Sequence, residues 1–168
     1  MQDYVLVNAQ KFASNHNHIL LIEKQKPEWQ RGKYNLVGGK IEPDEDPYDA
    51  AQREFAEETG YKSPVTSVEQ MGIVKGDWGK IYCFNKLVTE NFIPESQGEG
   101  KVFWTDWSVI KDDSCLMPNL RVIIPLMVMG VQNWVIIDQG ITWGAEKHLI
   151  SVEIQGTPAV VENSISQW

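Results

Sequence analysis

The chain has 168 residues, of which 42% are hydrophobic and 10% aromatic, and its 23 acidic and 15 basic residues give a net charge of −8. This length and composition indicate one domain with a hydrophobic core and exclude a disordered or collagen-like chain. The negative charge disfavours duplex nucleic acid as a partner, because proteins that bind DNA grooves use clustered Lys and Arg to displace counterions.

The sequence carries no signal for secretion or for membrane insertion, and we therefore expect a cytoplasmic protein. Its N-terminus lacks a basic stretch followed by a long apolar run, and the longest apolar run, residues 122–131, contains Pro125 and Gly130. Cys83 and Cys115 lie 32 positions apart without a CxxC spacing. This arrangement favours two reduced thiols over a zinc site or a redox pair.

Two apolar stretches rich in β-branched residues predict strands in the first part of the chain, at residues 4–7 and 19–22, and a third strand is expected at residues 34–37. The polar residues 14–18 predict a loop between the first two strands. His16 and His18 in this loop are interpreted as turn residues, with metal ligation as the alternative. Residues 24–33 are polar and contain Pro27 and Gly32, which interrupt helices and strands, so this segment is predicted to be a second loop.

The clearest helix is predicted at residues 47–58. Asp46 is a favourable N-cap residue, Pro47 suits the first helical position, and Asp49 lies near the positive end of the helix dipole. Gly60 suits the left-handed conformation that ends many helices.

The second part of the chain predicts further strands, a loop and a buried helix. The strands are expected at residues 65–74, 80–88, 102–104, 134–137 and 148–154, the surface loop at 89–100 and the helix at 120–129. We interpret residues 1–154 as one domain and the weakly patterned residues 155–168 as a C-terminal tail that is expected to be flexible.

Three carboxylates share one stripe of the predicted helix. At 100° per residue, Glu54, Glu57 and Glu58 fall within an arc of about 100°, beside the apolar arc that holds Phe55. Like charges at this spacing repel, and carboxylate clusters are the sites that hard cations such as Mg²⁺ or Mn²⁺ occupy. An acidic face exposed only to water is the alternative interpretation.

The surrounding residues weigh against that alternative. From Gly39 to Tyr61 the chain matches G-x5-E-x7-R-E-U-x-E-E-x-G-U, where U is a bulky apolar residue. Seven fixed matches arise by chance on the order of 10⁻⁸ per window at ordinary residue frequencies. The segment resembles the signature of the Nudix hydrolases, with Phe55 and Tyr61 at U positions where aliphatic residues are more usual.

The resemblance implies an α/β fold of the Nudix type, an α/β/α sandwich with a mixed β-sheet between helices. It also implies a Mg²⁺-dependent enzyme, with Mn²⁺ as a substitute, that cleaves diphosphate linkages. Arg53, Glu54, Glu57 and Glu58 would be the catalytic residues, with Arg53 orienting the glutamates. The implied metal ligands are the Gly38 carbonyl, the three glutamates of the stripe and, from a later loop, Glu99, for which an exposed loop acid is the alternative.

Residues outside the signature are similar to the substrate-binding residues of MutT-like enzymes that hydrolyse oxidised purine nucleoside triphosphates. Asn35 precedes Gly38-Gly39 as a base-reading Asn does there, and its alternative role is that of a turn residue. Met117 and Asn119 stand where those enzymes have a stacking Trp and a base-reading Asp, so base specificity does not carry over. Trp29 is a candidate for stacking instead. Two basic residues complete the candidate substrate site, Lys24 and Lys40, the latter with a solvated lysine as its alternative.

The charges are distributed unevenly around this signature. Residues 42–58 contain eight acids and one base, whereas residues 24–40 contain five bases and one acid. A basic loop beside an acidic helix suits a small polyphosphate bound with a metal ion.

We therefore expect an enzyme that cleaves a nucleoside or deoxynucleoside triphosphate to monophosphate and pyrophosphate, with oxidised purine nucleotides as one substrate class. ADP-ribose, dinucleoside polyphosphates and NAD-type or capped RNA ends are the alternative substrates. A nucleotide-sensing module is the alternative that is not an enzyme. The expected partners are a small nucleotide and, at most, a second copy of the chain, since monomer and homodimer both remain open.

Overall fold

The structure is a computed structural model that describes residues 1–11, 18–62, 68–98, 100–138, 150–154 and 157–159. Its strands are β1 (Tyr4–Lys11), β2 (His18–Lys24), β3 (Tyr34–Leu36), β4 (Val68–Gly76), β5 (Gly79–Val88), β6 (Gly100–Asp106), β7 (Trp134–Asp138), β8 (Ile150–Ile154) and β9 (Thr157–Ala159). The helices are α1 (Pro47–Thr59), α2 (Trp107–Ile110) and α3 (Leu120–Val128), and Glu28–Gln30 form one turn of 3₁₀ helix.

These strands form a mixed sheet in the order β3-β2-β1-β5-β4-β7-β8-β9, with β6 paired to β2. The β1–β5 and β4–β7 pairs are parallel, and the other pairs are antiparallel. One edge of β2 pairs with β6 along its length, while the other edge pairs with β1 at Ile19 and with β3 from Leu21 onward. The sheet therefore splits between β1 and β3.

Helices cover both faces of the sheet, as the α/β/α prediction requires. Alternate residues of β2 point to opposite faces, because successive side chains of a strand alternate. Leu20 and Ile22 pack in the core beneath α1, which contributes Phe55, and Ile19 and Leu21 pack in the core beneath α3. Among the described residues, no helix is long and apolar enough to cross a bilayer.

Helix α1 begins and ends where the sequence predicts. The Asp46 side chain accepts a hydrogen bond from the Tyr48 backbone N–H at 2.8 Å, and Pro47 occupies the first turn. Gly60 closes the helix with φ of 70°, and its N–H donates to the Ala56 carbonyl. A left-handed residue at this position costs little only for glycine.

The two aromatic signature residues form a small cluster under α1. The rings of Phe55 and Tyr61 are 5.5 Å apart, and Phe92 lies 4.8 Å from Tyr61. The Lys86 ammonium lies 5.5 Å from the Phe55 ring and 4.9 Å from the Tyr61 ring. Aromatic rings accept this buried cation on their faces, which aliphatic side chains cannot do.

The described elements extend or adjust several of the predictions. β1 continues to Lys11, His18 begins β2 instead of belonging to the preceding loop, and α2 is a short helix that no apolar period announces. Residues 155–168 were interpreted as a tail, but β9 lies within this segment. Its backbone pairs with β8. The predicted loop at residues 14–17 and the beginnings of the strands at 65 and 148 lie outside the described residues.

The Asp46 cap yields a stability prediction. Asp46→Ala should lower the free energy of unfolding by about 1 kcal/mol, because it removes the side-chain acceptor of a helix N-terminal N–H. Asp46→Asn is the matched control and should retain most of the stability, since an amide oxygen also caps. Urea denaturation followed by circular dichroism measures both, and equal losses in the two variants would contradict the capping role.

Candidate active site

One cavity, with a volume of about 1300 Å³, opens beside α1 and extends beneath α3. Every site residue predicted from the sequence lines it, apart from Glu99, which lies outside the described residues. These lining residues are Lys24, Trp29, Asn35, Gly38, Lys40, Arg53, Glu54, Glu57, Glu58, Met117 and Asn119. The fold therefore brings together residues that are up to 95 positions apart in the chain.

Arg53 holds the acidic side of the cavity together. Its guanidinium makes a two-point contact with Glu45 at 2.8 and 2.9 Å and donates to Glu54 at 2.8 Å and to Glu57 at 3.2 Å. It also donates to the Lys40 carbonyl oxygen at 3.0 Å. The planar arrangement of its donors makes such a multiple contact possible. Sequence analysis assigned no contact to Glu45, although its fixed place in the signature pointed to one.

These contacts change the pKa values of the partners. The hydrogen bonds from Arg53, together with one from the Glu42 backbone, lower the pKa of Glu45 to about 2. The same contact with Glu45 raises the pKa of Arg53 above its usual value. Arg53 therefore stays charged at any pH at which the protein is folded.

Glu58 is nearly buried and both of its carboxylate oxygens are engaged. Oε1 lies 3.2 Å from the Lys24 ammonium, and Oε2 accepts a hydrogen bond from the Gly38 backbone N–H at 2.9 Å. Burial raises the pKa of Glu58 and of Glu54. The charge of Lys24 and the Gly38 hydrogen bond act in the opposite direction on Glu58.

The glycine pair lies between β1 and α1. A Cβ atom at residue 38 would collide with the Val5 carbonyl oxygen, and one at residue 39 would collide with the Glu54 carboxylate. The neighbouring Val37 and Gly39 carbonyls accept hydrogen bonds from β1, from Val7 and Val5 respectively. The Gly38 carbonyl takes none from the described residues, so it is available to a ligand.

The three glutamates differ in how their oxygens are occupied. Glu54 and Glu57 each use one oxygen for Arg53, whereas Glu58 uses both. Among the described residues, no three acidic, His or Cys side chains already converge on a common metal position. The donor set and the glycine cradle suit a hard divalent cation, but its ligands must shift to bind one.

The part of the cavity beneath α3 is apolar with two amides at its edge. Its walls come from the middle strands and from α3, through Tyr4, Leu6, Val74, Ile81, Val122, Ile123 and Ile136. Asn119 Oδ1 is buried without a hydrogen-bond partner among the described residues. Asn35 Oδ1 accepts from the Leu36 backbone N–H at 2.9 Å, which directs its amide N–H₂ away from that contact.

Sequence analysis did not identify these apolar wall residues as part of the site. Most of them lie on ordinary strands, and Val122 and Ile123 lie on α3, so their pattern in the sequence is the same as that of core residues. The only signal was the predicted proximity of Asn35 and Asn119 to a common substrate, which the cavity now places beside these walls.

The contact of Arg53 with Glu45 gives a pH prediction. Because the pKa of Glu45 falls from an ordinary 4.5 to about 2 on folding, the pair stabilises the fold above pH 4.5 and loses this effect as the pH falls toward 2. The stability difference between the native protein and Glu45→Gln, measured by urea denaturation, should therefore narrow over this range. An equal difference at pH 7 and pH 2.5 would contradict it. Glu90→Gln is the control for removing an exposed carboxylate.

The NUDIX domain family model matches residues 5–125. A sequence search of curated proteins gives no match.

Solved structures share the fold at low sequence identity. The MutT mutator protein from Bacillus halodurans is 21% identical with a TM-score of 0.62, over 94% of this chain and 100% of that one. A Caenorhabditis elegans Ap4A hydrolase in a binary complex is 13% identical with a TM-score of 0.61, over 77% of this chain and 96% of that one. The NUDIX domain of Shewanella oneidensis NrtR, complexed with ADP ribose, is 18% identical with a TM-score of 0.58, over 74% of this chain and 85% of that one.

The family model covers most of the chain, and its match includes α1 with its glutamates, the Gly38-Gly39 pair and Arg53. The chain thus belongs to the NUDIX domain family, and this membership supports the expected class of activity, that of a pyrophosphohydrolase.

Proposed function

We propose that this protein cleaves a nucleoside or deoxynucleoside triphosphate to the monophosphate and pyrophosphate, in a reaction that depends on Mg²⁺. The observation that carries the proposal is the single cavity that joins an acidic helix face to an apolar pocket edged by two amides. The acidic end suits a metal-bound polyphosphate, and the apolar end suits a nucleobase. The proposed partner is accordingly a small nucleotide.

A divalent cation bound at the acidic end would screen the phosphate oxygens and lower the pKa of the attacking water. The candidate ligands are Glu54, Glu57, Glu58 and the Gly38 carbonyl, with Glu99 as a further one. In the described part of the chain, one oxygen each of Glu54 and Glu57 and the Gly38 carbonyl have no hydrogen-bond partner, which supports this assignment.

Other residues of the chain bind and orient the substrate. Arg53 fixes two glutamates through hydrogen bonds, so that their carboxylates need little further ordering when the substrate binds. Lys24 and Lys40 supply positive charge for the phosphates, and one glutamate of α1 or Glu99 accepts the proton of the attacking water. Glu57 is the most exposed of the α1 glutamates, with 60% of its side chain accessible, and is open to that water.

The nucleobase is proposed to lie beside Met117 under α3. The Asn119 acceptor and the Asn35 donor are then available to its polar edge, because both residues line the cavity, Asn119 Oδ1 has no hydrogen-bond partner among the described residues, and the backbone contact of Asn35 uses only its oxygen. Trp29, of which 54% is exposed, is the proposed stacking residue on the loop side.

A second substrate class has one observation in its favour. The cavity of about 1300 Å³ exceeds the 300–1,000 Å³ that is typical of small-molecule sites. ADP-ribose or a dinucleoside polyphosphate would fill more of it than a triphosphate. A sensing module without turnover is disfavoured, since it needs neither the Arg53 contacts nor the three intact glutamates.

A substrate panel tests the proposal directly. The purified protein should release pyrophosphate from one or more triphosphates in the presence of Mg²⁺, and chelation with EDTA should abolish the release. The panel includes oxidised purine nucleotides, ADP-ribose, dinucleoside polyphosphates and capped RNA, with pyrophosphate and phosphate assayed separately. Turnover of ADP-ribose or a dinucleotide alone would favour the second class, and no turnover at all would favour the sensing module.

The glutamates give a second prediction. Glu57→Gln and Glu58→Gln should each lower kcat by about 100-fold or more, because an amide replaces an anionic metal ligand. Glu90→Gln removes an exposed carboxylate outside the cavity and should retain full activity. Circular dichroism checks the fold, and near-normal activity in both helix variants would refute the metal site on α1.

Asn35 gives a third prediction. Asn35→Ala should raise KM about three- to tenfold for one base and much less for others, which corresponds to the loss of one hydrogen bond. Asn91→Ala, in an exposed turn, is the control and should leave KM unchanged. An equal rise for every base would show that Asn35 does not read the base edge.

A further inference from the structure

Lys24 and Glu58 form a nearly buried ion pair at the point where the proposed metal would bind. Their side chains are 13% and 10% exposed, and Nζ lies 3.2 Å from Oε1. Lys24 ends β2 and Glu58 lies in the last turn of α1, so the pair links the two sides of the cavity. Among the glutamates of the stripe, Glu58 alone has a lysine contact in the described part of the chain.

Both oxygens of Glu58 are occupied by this chain's own groups, as the second one accepts the Gly38 N–H at 2.9 Å. A metal ion bound to Oε1 would lie close to the Lys24 ammonium, and two cations at such a distance repel strongly where little water screens them. The ammonium therefore opposes metal binding at that oxygen, and its departure from Glu58 would remove the repulsion. This agrees with the finding that no metal position is preassembled among the described residues.

A displaced ammonium has a place to go within the same cavity. Lys24 lines it together with Gly39 and the glutamates, where the polyphosphate of the proposed substrate would lie. A phosphate oxygen is a good partner for an ammonium. Metal on Glu58 and phosphate on Lys24 would together replace the single contact that each residue gives up.

We infer that Lys24 is an exchangeable counter-ion of Glu58, which holds the carboxylate in the free protein and passes to the substrate phosphate when a divalent cation binds. Lys24 thereby opposes binding of the metal alone and favours binding of the metal with the nucleotide. By linkage, metal and nucleotide each strengthen the other's binding by the same factor. The inference rests on the proposed function, and Lys24 acts in it as a positioning residue for Glu58.

The direct test is binding of Mn²⁺ alone, measured by isothermal titration calorimetry and electron paramagnetic resonance at pH 8.5. Lys24→Met should bind Mn²⁺ about tenfold more tightly than the native protein, within the usual range of coupling between sites. Lys24→Arg retains the charge and should bind Mn²⁺ about as weakly as the native protein. Lys26→Met removes an exposed positive charge from the same cavity without a contact to Glu58, and should leave the affinity unchanged.

A second measurement uses the native protein with a non-hydrolysable triphosphate analogue. The analogue should raise the affinity of the protein for Mn²⁺ about tenfold, after correction for Mn²⁺ bound by the analogue in solution, and this gain should largely disappear in Lys24→Met. If Lys24→Met does not fold, Lys24→Gln replaces it and the native titration still decides, since no gain with the analogue would overturn the inference.

The outcomes separate this inference from the proposed function. Equal Mn²⁺ affinities in the native protein and Lys24→Met, or an equal increase in Lys26→Met, would overturn the counter-ion role while leaving nucleotide hydrolysis intact. Absence of Mn²⁺ binding in every variant, both without and with the triphosphate analogue, would overturn both. Tighter binding in Lys24→Met with native-like affinity in the other two variants would support the exchange, whatever nucleotide proves to be the substrate.

Discussion

Arg53 has five N–H donors in one plane, and in this protein they join the acidic helix to the loop that precedes it. Glu45 takes two of them from the segment before α1, and the Lys40 carbonyl takes one from the loop after the glycine pair. The remaining contacts orient Glu54 and Glu57 on the helix itself. The Arg53 guanidinium thus offsets part of the repulsion among the neighbouring carboxylates, and it uses only one oxygen each of Glu54 and Glu57. Without Arg53, these two carboxylates would have no fixed geometry.

The position of α1 depends in turn on close packing against the sheet. Gly38 and Gly39 allow the backbone to pass between Val5 of β1 and the Glu54 carboxylate, where any side chain would collide. On the buried side, Phe55 packs with Tyr61, and the Lys86 ammonium lies over both rings. Burial lowers the pKa of Lys86, which shows that its charge is costly to bury. The two ring faces offset part of this cost. The core and the candidate site therefore constrain the same helix from opposite sides.

Lys24 and Glu58, on the two sides of the cavity, show which features of the site the sequence predicted and which it did not. Lys24 was expected to be a substrate-binding residue and Glu58 a metal ligand, and nothing in their spacing of 34 positions indicated that they form an ion pair. The wall beneath α3 escaped prediction for a similar reason. Ile81 and Ile136 have the alternation of core strands, and only the tertiary structure shows that they line a cavity. Asn119, in contrast, was selected by resemblance, and its role in substrate binding stays a prediction; its buried Oδ1 has no hydrogen-bond partner among the described residues.

The sequence by itself determined α1 and the face of the helix on which its glutamates lie. Cap, proline, acidic stripe and terminal glycine lie within 15 residues, and helix geometry alone converts such spacing into positions on one face. The order of the strands, the split of the sheet at β2 and the pairing of β9 with β8 were decided only by the tertiary structure. The tertiary structure also decided the contact of Lys24 with Glu58 and that of Glu45 with Arg53. Local patterns specify conformation because neighbouring residues interact within a few turns, whereas contacts between distant segments depend on the way in which the whole sheet packs between its helices.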